Sequence, residues 1–220
     1  MNEIERRLFL IKESINKACK LYQRKANDVN LIAVSKTVAA DQIISAIDAG
    51  CKEFGENYIQ EAQQKWRDLK ENYPQTKLHF IGHLQSNKAE DAVELFDVIQ
   101  TVDSQKLVLA IKKAAQKLQK SPEIFIQVNI GEEQQKSGVM LNEVKDLVNF
   151  VRQCELNLAG LMCIPPSDEA ASPYFALLKK IANENNLTQI SCGMSADFEQ
   201  AIAVGSNHVR LGTAIFGARS

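Results

Sequence analysis

The stretch Leu31-Ile32-Ala33-Val34-Ser35-Lys36-Thr37 decides how the rest of the chain is read. Its opening apolar run has the length of a strand, and a strand that is apolar on both faces belongs to a parallel sheet covered by helices. Lys36 falls where that strand stops. In α/β folds ligands gather at the carboxyl ends of strands, so an amine at this place has a ligand-sized role open to it. The simpler alternative is a solvated lysine that opens a loop.

Working outward, the same pattern recurs on both sides. A helical periodicity over 2–25 (Ile4, Leu8, Ile11, Ile15, Ala18, Tyr22) precedes the first strand and predicts an extra N-terminal helix against the bottom or side of the sheet. After Lys36 come a helix over 41–49 stopped by Gly50, a short strand over 52–54, a helix to about Lys70, and a strand over 78–81 ending in Gly82-His83. Ser86 can cap the next helix, and 98–102 is a strand that ends at Asp103-Ser104, the latter pair being most simply a helix cap. The second half continues with a helix from Ser104 carrying Leu107, Ile111, Ala114 and Leu118, then strand 124–128, helix 141–151 and strand 158–164. Pro165-Pro166 ends that last strand, because proline cannot donate to a ladder. Helix 173–185, strand 189–191, helix 195–204 and strand 208–211 complete the chain. About eight strand–helix units close a (β/α)8 TIM barrel; an open doubly wound sheet is the alternative. No flexible linker interrupts the run, so residues 1–220 are expected to form one domain.

Composition narrows the function classes. The chain has 220 residues, 45% of them apolar, enough to bury one large core. A net charge of -1 with mixed signs gives no basic face, so nucleic acid is not an expected partner. No apolar run reaches the roughly 20 residues that span a bilayer, and the start Met1-Asn2-Glu3-Ile4-Glu5 is unlike a signal peptide, so no membrane role and a cytoplasmic location are expected. Cys19, Cys51, Cys154, Cys163 and Cys192 are odd in number, scattered and without a Cys-x-x-Cys pair, as expected of reduced, buried thiols.

Placed on the barrel, Lys36, Asn57, His83, Asp103, Asn129, Met162, Ser191 and Arg210 each fall at or just past a strand end. Two loops add an anion site. Ser191-Cys192-Gly193-Met194-Ser195-Ala196-Asp197 offers a hydroxyl, a glycine for close backbone approach and a serine able to cap the next helix. Arg210-Leu211-Gly212-Thr213-Ala214-Ile215-Phe216-Gly217 follows the final strand with cation, glycine and hydroxyl together. Barrels commonly hold a phosphate between the loops after strands seven and eight. A phosphate cup facing a strand-end lysine suggests pyridoxal 5'-phosphate (PLP), held at one end by its phosphate and at the other by a Schiff base to Lys36.

Leu31–Thr37, Phe54-Gly-Glu-Asn-Tyr-Ile-Gln-Glu61, His79-Phe-Ile-Gly-His-Leu-Gln-Ser-Asn-Lys88, Ser191–Phe198 and Val209–Arg219 together resemble the YggS/PROSC family of pyridoxal-phosphate homeostasis proteins, in order and over nearly the whole chain. The resemblance implies a barrel like that of alanine racemase, with PLP on Lys36. It also implies Arg210 toward the ring nitrogen or the phosphate end, and Ser191, Gly212 and Thr213 on the phosphate. Asn57 and Met194 would line the ring with Ser195 nearby, while Cys192 occupies a slot regarded as variable. The family is associated with balancing vitamin B6 and amino-acid pools, without an established reaction; a monomer is expected, with apo-PLP-dependent enzymes as candidate recipients of the cofactor.

Residue chemistry points to a carrier or regulator as well. An electron-sink enzyme works best with an acid on the ring nitrogen, whereas arginine has only donors and stays charged. Racemisation needs acid–base groups on both faces of the ring, and Lys36 serves one. A PLP-dependent racemase and a cofactor-free Schiff-base lyase on Lys36 remain the rival readings. His79 and His83 are four apart, but a strand and a turn between them oppose a shared metal. Glu56 and Glu61 are read as favourable charge near a helix start, Glu132–Gly138 as a mobile loop or a gate over the cofactor, and Phe54 and Trp66 as core.

Overall fold

In the computed structural model, which describes residues 2–217, eight parallel strands close into a barrel in sequence order, β1 to β8. The strands are β1 Asn30–Val34, β2 Glu53–Glu56, β3 Lys77–Phe80, β4 Val98–Val102, β5 Glu123–Val128, β6 Leu158–Cys163, β7 Gln189–Ser191 and β8 His208–Leu211. The helices among the described residues are α1 Glu3–Leu21, α2 Ala40–Asp48, α3 Ile59–Asn72, α4 Ala89–Leu95, α5 Gln105–Leu118, α6 Val144–Gln153, α7 Ala171–Glu184, α8 Phe198–Ala203 and α9 Thr213–Phe216. The closed barrel, not the open sheet, is the observed topology. Closure comes from β8 lying parallel to β1 with Leu31 opposite Val209 and Ala33 opposite Leu211.

α1 starts where a capping box satisfies its first amides. The Asn2 side chain accepts from the Glu5 N–H at 2.9 Å, and the Glu5 carboxylate accepts from the Asn2 N–H at 2.8 Å. Its buried stripe is Leu8, Ile11, Ile15, Ala18 and Cys19, and it packs against α2, α8 and α9. The N-terminal helix therefore covers the side of the barrel where first and last strands meet. Tyr22, read as part of that stripe, is 45% exposed because the helix ends at Leu21.

The apolar residues divide into two groups. The larger cluster fills the layer between the barrel wall and the helices and includes Phe54, Trp66, Leu78, Phe80, Ile99 and Phe175. Phe54 and Trp66 pack there in a tilted pair, with ring centroids 5.0 Å apart. Inside the barrel the apolar cluster is small, comprising Val98, Phe125 and Met162. Met162 is thus buried within the barrel instead of standing on its rim, because its side chain packs inward against Val98 and Phe125. Most barrel interiors are filled by branched aliphatics; here Glu53, His79, Gln100, Ser191, His208 and Arg210 share the space, and all but Glu53 are buried.

All of the cysteines are free thiols and buried. Among the described residues no helix is long and apolar enough to cross a membrane.

Candidate functional site

The turn that bears Lys36 is gripped from both sides by α3. β1 ends at Val34, and Ser35, Lys36 and Thr37 form the turn, with Thr37 in the left-handed region at φ 60. The buried Ser35 hydroxyl donates to Glu56 Oε1 at 2.7 Å, and its carbonyl accepts from Lys65 Nζ at 2.7 Å. The Lys65 ammonium also pairs with Glu56 and Glu61, each at 2.8 Å. Glu61 accepts the Thr37 N–H at 2.5 Å, and Trp66 Nε1 donates to Glu56 at 3.0 Å. Glu56 and Glu61 therefore do more than favour a helix start: they bracket the residues before and after Lys36. β2 runs on through Glu56, two residues beyond the expected strand, which carries this carboxylate into the buried layer under α3. Lys36 itself is partly exposed, in alternation with Ile32 and Val34.

The turns after β7 and β8 lie beside it. Gly193 has φ +94, and a Cβ there would meet Ala201 Cβ at 2.5 Å, so the turn accepts only glycine without strain. The Gly193 carbonyl accepts the Arg210 N–H at 2.9 Å, which ties this turn to β8. Ser195 does not cap α8. The helix starts at Phe198, the Asp197 carboxylate accepts the Met194 N–H at 2.6 Å, and this turn leaves Ser195 Oγ 3.3 Å from Thr213 Oγ1. A Cβ at Gly212 would lie 3.5 Å from Val34, two residues before Lys36. Lys36, Ser195, Gly212 and Thr213 are thus gathered on one arc of the mouth, with Met194, 36% exposed, at its edge.

Beneath this arc lies Arg210, which is 4% exposed. Nη1 donates to Ser191 Oγ at 2.7 Å and Nη2 to the Cys163 carbonyl at 2.8 Å. Burial pushes the Arg210 pKa below its ordinary value. The neighbouring thiols are pushed up by burial, Cys192 to about 11 and Cys163 well above the usual range, so both stay uncharged. The fully buried Ser191 hydroxyl faces the barrel interior and donates to Gln100 Oε1 at 2.7 Å. Ser191 therefore supports the arginine from below, whereas the resemblance implied a phosphate ligand.

The polar chain continues downward. Gln100 Nε2 is 3.0 Å from His79 Nδ1, and His79 Nε2 is 3.1 Å from Glu53 Oε2, in ion-pair range although not aligned as a full hydrogen bond. Burial pushes the Glu53 carboxyl up, but the contact with His79 and the charges of His79, His208 and Lys77 outweigh it, and the net pKa is lowered. His208 Nε2 is 2.8 Å from Gln189 Oε1, and burial, reinforced by His79, pushes its pKa down to about 4. Gln100 interrupts the otherwise strand-like run Val98-Ile-Gln-Thr-Val102, and that interruption was the available sequence signal.

On the opposite arc, a cleft of about 270 Å³ is lined by Asn57, His83, Gln127, Asn129, Lys136 and Ser137, among others. His83 stands at the rim, with Nδ1 3.2 Å from Ser137 Oγ, apart from the buried His79. The expected mobile loop is hydrogen-bonded in place: Asn129 exchanges bonds with the Glu133 backbone at 2.8 and 3.1 Å, and Gln127 Nε2 donates to the Ser137 carbonyl at 3.0 Å. Asn57 Oδ1 is buried without a hydrogen-bond partner in the structure, an arrangement that invites a ligand at that place.

Residues 12–220 match the family described as Alanine racemase, N-terminal domain. The pyridoxal phosphate homeostasis protein of Escherichia coli (strain K12) is 39% identical over 231 residues, covering 100% of this chain and 98% of that protein. The structure of PipY of Synechococcus elongatus PCC7942 with PLP bound superposes with a TM-score of 0.83 at 33% identity, covering 98% of this chain and 100% of PipY. Alanine racemase of Clostridium difficile 630 shares the barrel fold, with a TM-score of 0.68 at 15% identity over 94% of this chain and 56% of the racemase.

Proposed function

The chain belongs to the alanine racemase N-terminal domain family and, within it, to the pyridoxal phosphate homeostasis proteins, and on that premise we propose that it binds PLP and acts as an intracellular carrier or regulator of that cofactor. The observation that carries the reading is the adjacency of the Lys36 turn to the Ser195–Gly212–Thr213 arc, joined through β1 and β8. The donor set suits a phosphorylated aldehyde. Lys36 would hold the aldehyde carbon through its amine, the Ser195 and Thr213 hydroxyls with the Gly212 turn would take the phosphate, and Asn57 and Met194 would flank the ring. Bound there, PLP supplies an aldehyde that condenses with amines and a ring that withdraws electrons.

Arg210 sets the chemical character of the site. It is donor-only and held charged on Ser191 and Cys163, so beneath the ring it offers the nitrogen no acidic proton. That favours holding the cofactor over strong electron withdrawal. We read residues 1–220 as one monomeric, cytoplasmic PLP-binding unit that hands its cofactor to apo-PLP-dependent enzymes, without a dedicated reaction. Visible spectra of the wild type beside Lys36→Ala, after PLP is added and excess removed, test the attachment. A visible band in the wild type that is lost or weakened in the variant is expected; equal spectra refute the role of Lys36. Turnover of amino-acid enantiomers well above that of free PLP would favour the racemase reading instead.

A further inference from the structure

The polar chain inside the barrel has a direction. Arg210 can only donate, so its Nη1–H on Ser191 Oγ leaves that hydroxyl to give its own proton to Gln100 Oε1, 2.7 Å away. The Gln100 amide then presents Nε2 to His79 Nδ1 at 3.0 Å, which must accept. The neutral ring therefore carries its proton on Nε2, facing the Glu53 carboxylate at 3.1 Å. Reversing the amide would put a second donor on Ser191 and the ring proton on Nδ1, which sets a bare ring nitrogen against a carboxylate. A donor-only cation at one end and an acceptor-only anion at the other leave one consistent assignment of the amide.

Resting on the reading of Arg210 as part of the cofactor site, we propose that Gln100 is the positioning residue for Ser191 and Arg210, and that His79 and Glu53 set the orientation of its amide. Gln100 is fully buried on β4, so it orients the cation from a strand across the barrel rather than from the loops of the mouth. The guanidinium is consequently fixed before the cofactor arrives.

Two variants separate this role from simple packing. Gln100→Met keeps the volume and removes both hydrogen-bonding ends. Gln100→Glu keeps an acceptor for Ser191 and presents a second carboxylate to His79, which meets both acceptors by taking a second proton on Nδ1 while keeping the one that faces Glu53. Nitrogen-15 NMR of the cofactor-free protein at about pH 8, above the ordinary histidine range, should find His79 Nδ1 bare in the wild type and protonated in Gln100→Glu. The Arg210 Nε–H signal should be retained in wild type and Gln100→Glu, and shifted or broadened in Gln100→Met. PLP dissociation should quicken about tenfold in Gln100→Met, the equivalent of about one hydrogen bond, and return close to the wild-type rate in Gln100→Glu. A proton on His79 Nδ1 in the wild type, or an Arg210 signal and dissociation rate unchanged in Gln100→Met, overturns the proposal. If Gln100→Met fails to fold, the His79 proton positions in wild type and Gln100→Glu decide alone. If the wild type takes up no PLP, the cofactor reading falls, and the NMR of the cofactor-free protein still decides the role of Gln100.

Discussion

Acidification should cost this protein stability well above the range in which carboxylates titrate, and His208 is the reason. Its ring lies inside the barrel, edge-on to Phe125 at 5.2 Å between centroids, and burial lowers its pKa from 6.5 to about 4. The unfolded chain takes up a proton near pH 6.5, while the folded chain does so only near pH 4. Between those values the unfolded state binds more protons, so folding stability rises with pH. The contribution is fully present above pH 6.5 and is lost as pH falls toward 4, at about 1.4 kcal/mol per pH unit. A shift of this size corresponds to about 3 kcal/mol in all. Glu53 acts in the same sense but in a lower window, since its lowered pKa gives up stability only below the ordinary carboxylate value of 4.5. Urea denaturation of wild type and His208→Gln at closely spaced pH values between 7.5 and 4.5 isolates the histidine. The wild type is expected to lose about 2–3 kcal/mol more than the variant across that interval. Parallel stability curves for the two proteins would refute the reasoning.

Other perturbations probe the remaining contacts. Glu56→Leu removes the buried partner of Lys65 and should destabilise by about 3 kcal/mol or more in chemical denaturation, with Glu56→Gln intermediate because it keeps an acceptor for Ser35 and Trp66. Gly193→Ala should lower stability by about 1–3 kcal/mol through its positive φ and the contact with Ala201, and should weaken PLP binding by displacing the turn that holds Ser195. Ser195→Ala combined with Thr213→Val should leave the thermal midpoint near that of wild type, since neither hydroxyl is buried. The same pair should reduce PLP affinity by about tenfold or more in equilibrium titration.

The barrel was legible because its wall repeats one pattern: short apolar strands alternating with amphipathic helices, punctuated by Gly50 and Pro165-Pro166. β4, β7 and β8 fall on the expected residues. The boundary at β2 shifted because Glu56 looks like a loop carboxylate until Lys65 and Trp66, brought to it by the fold, make its burial tolerable. The start of α8 shifted because a serine and an aspartate compete to organise one turn, and nothing in their spacing says that Asp197 wins. Lys36, Gly212 and Thr213 could be placed on one rim from strand order alone. Gln100 and Ser191 could not be joined, since β4 and β7 are three strands apart and these side chains meet only through the curvature of the closed sheet.

The polar filling of the barrel interior follows from the buried cation. An aliphatic filling would avoid the desolvation of several polar groups. A guanidinium buried beneath the proposed PLP site, however, needs acceptors below it, because the space above is that of the proposed ligand. Cys163 on β6 and Ser191 on β7 supply them, and Gln100 on β4 holds Ser191 in turn. Because these supports are borne on strands, the direction of the cation does not depend on the mouth loops. The helix-covered outer layer, where most apolar side chains lie, supplies the stability that lets the interior serve this purpose.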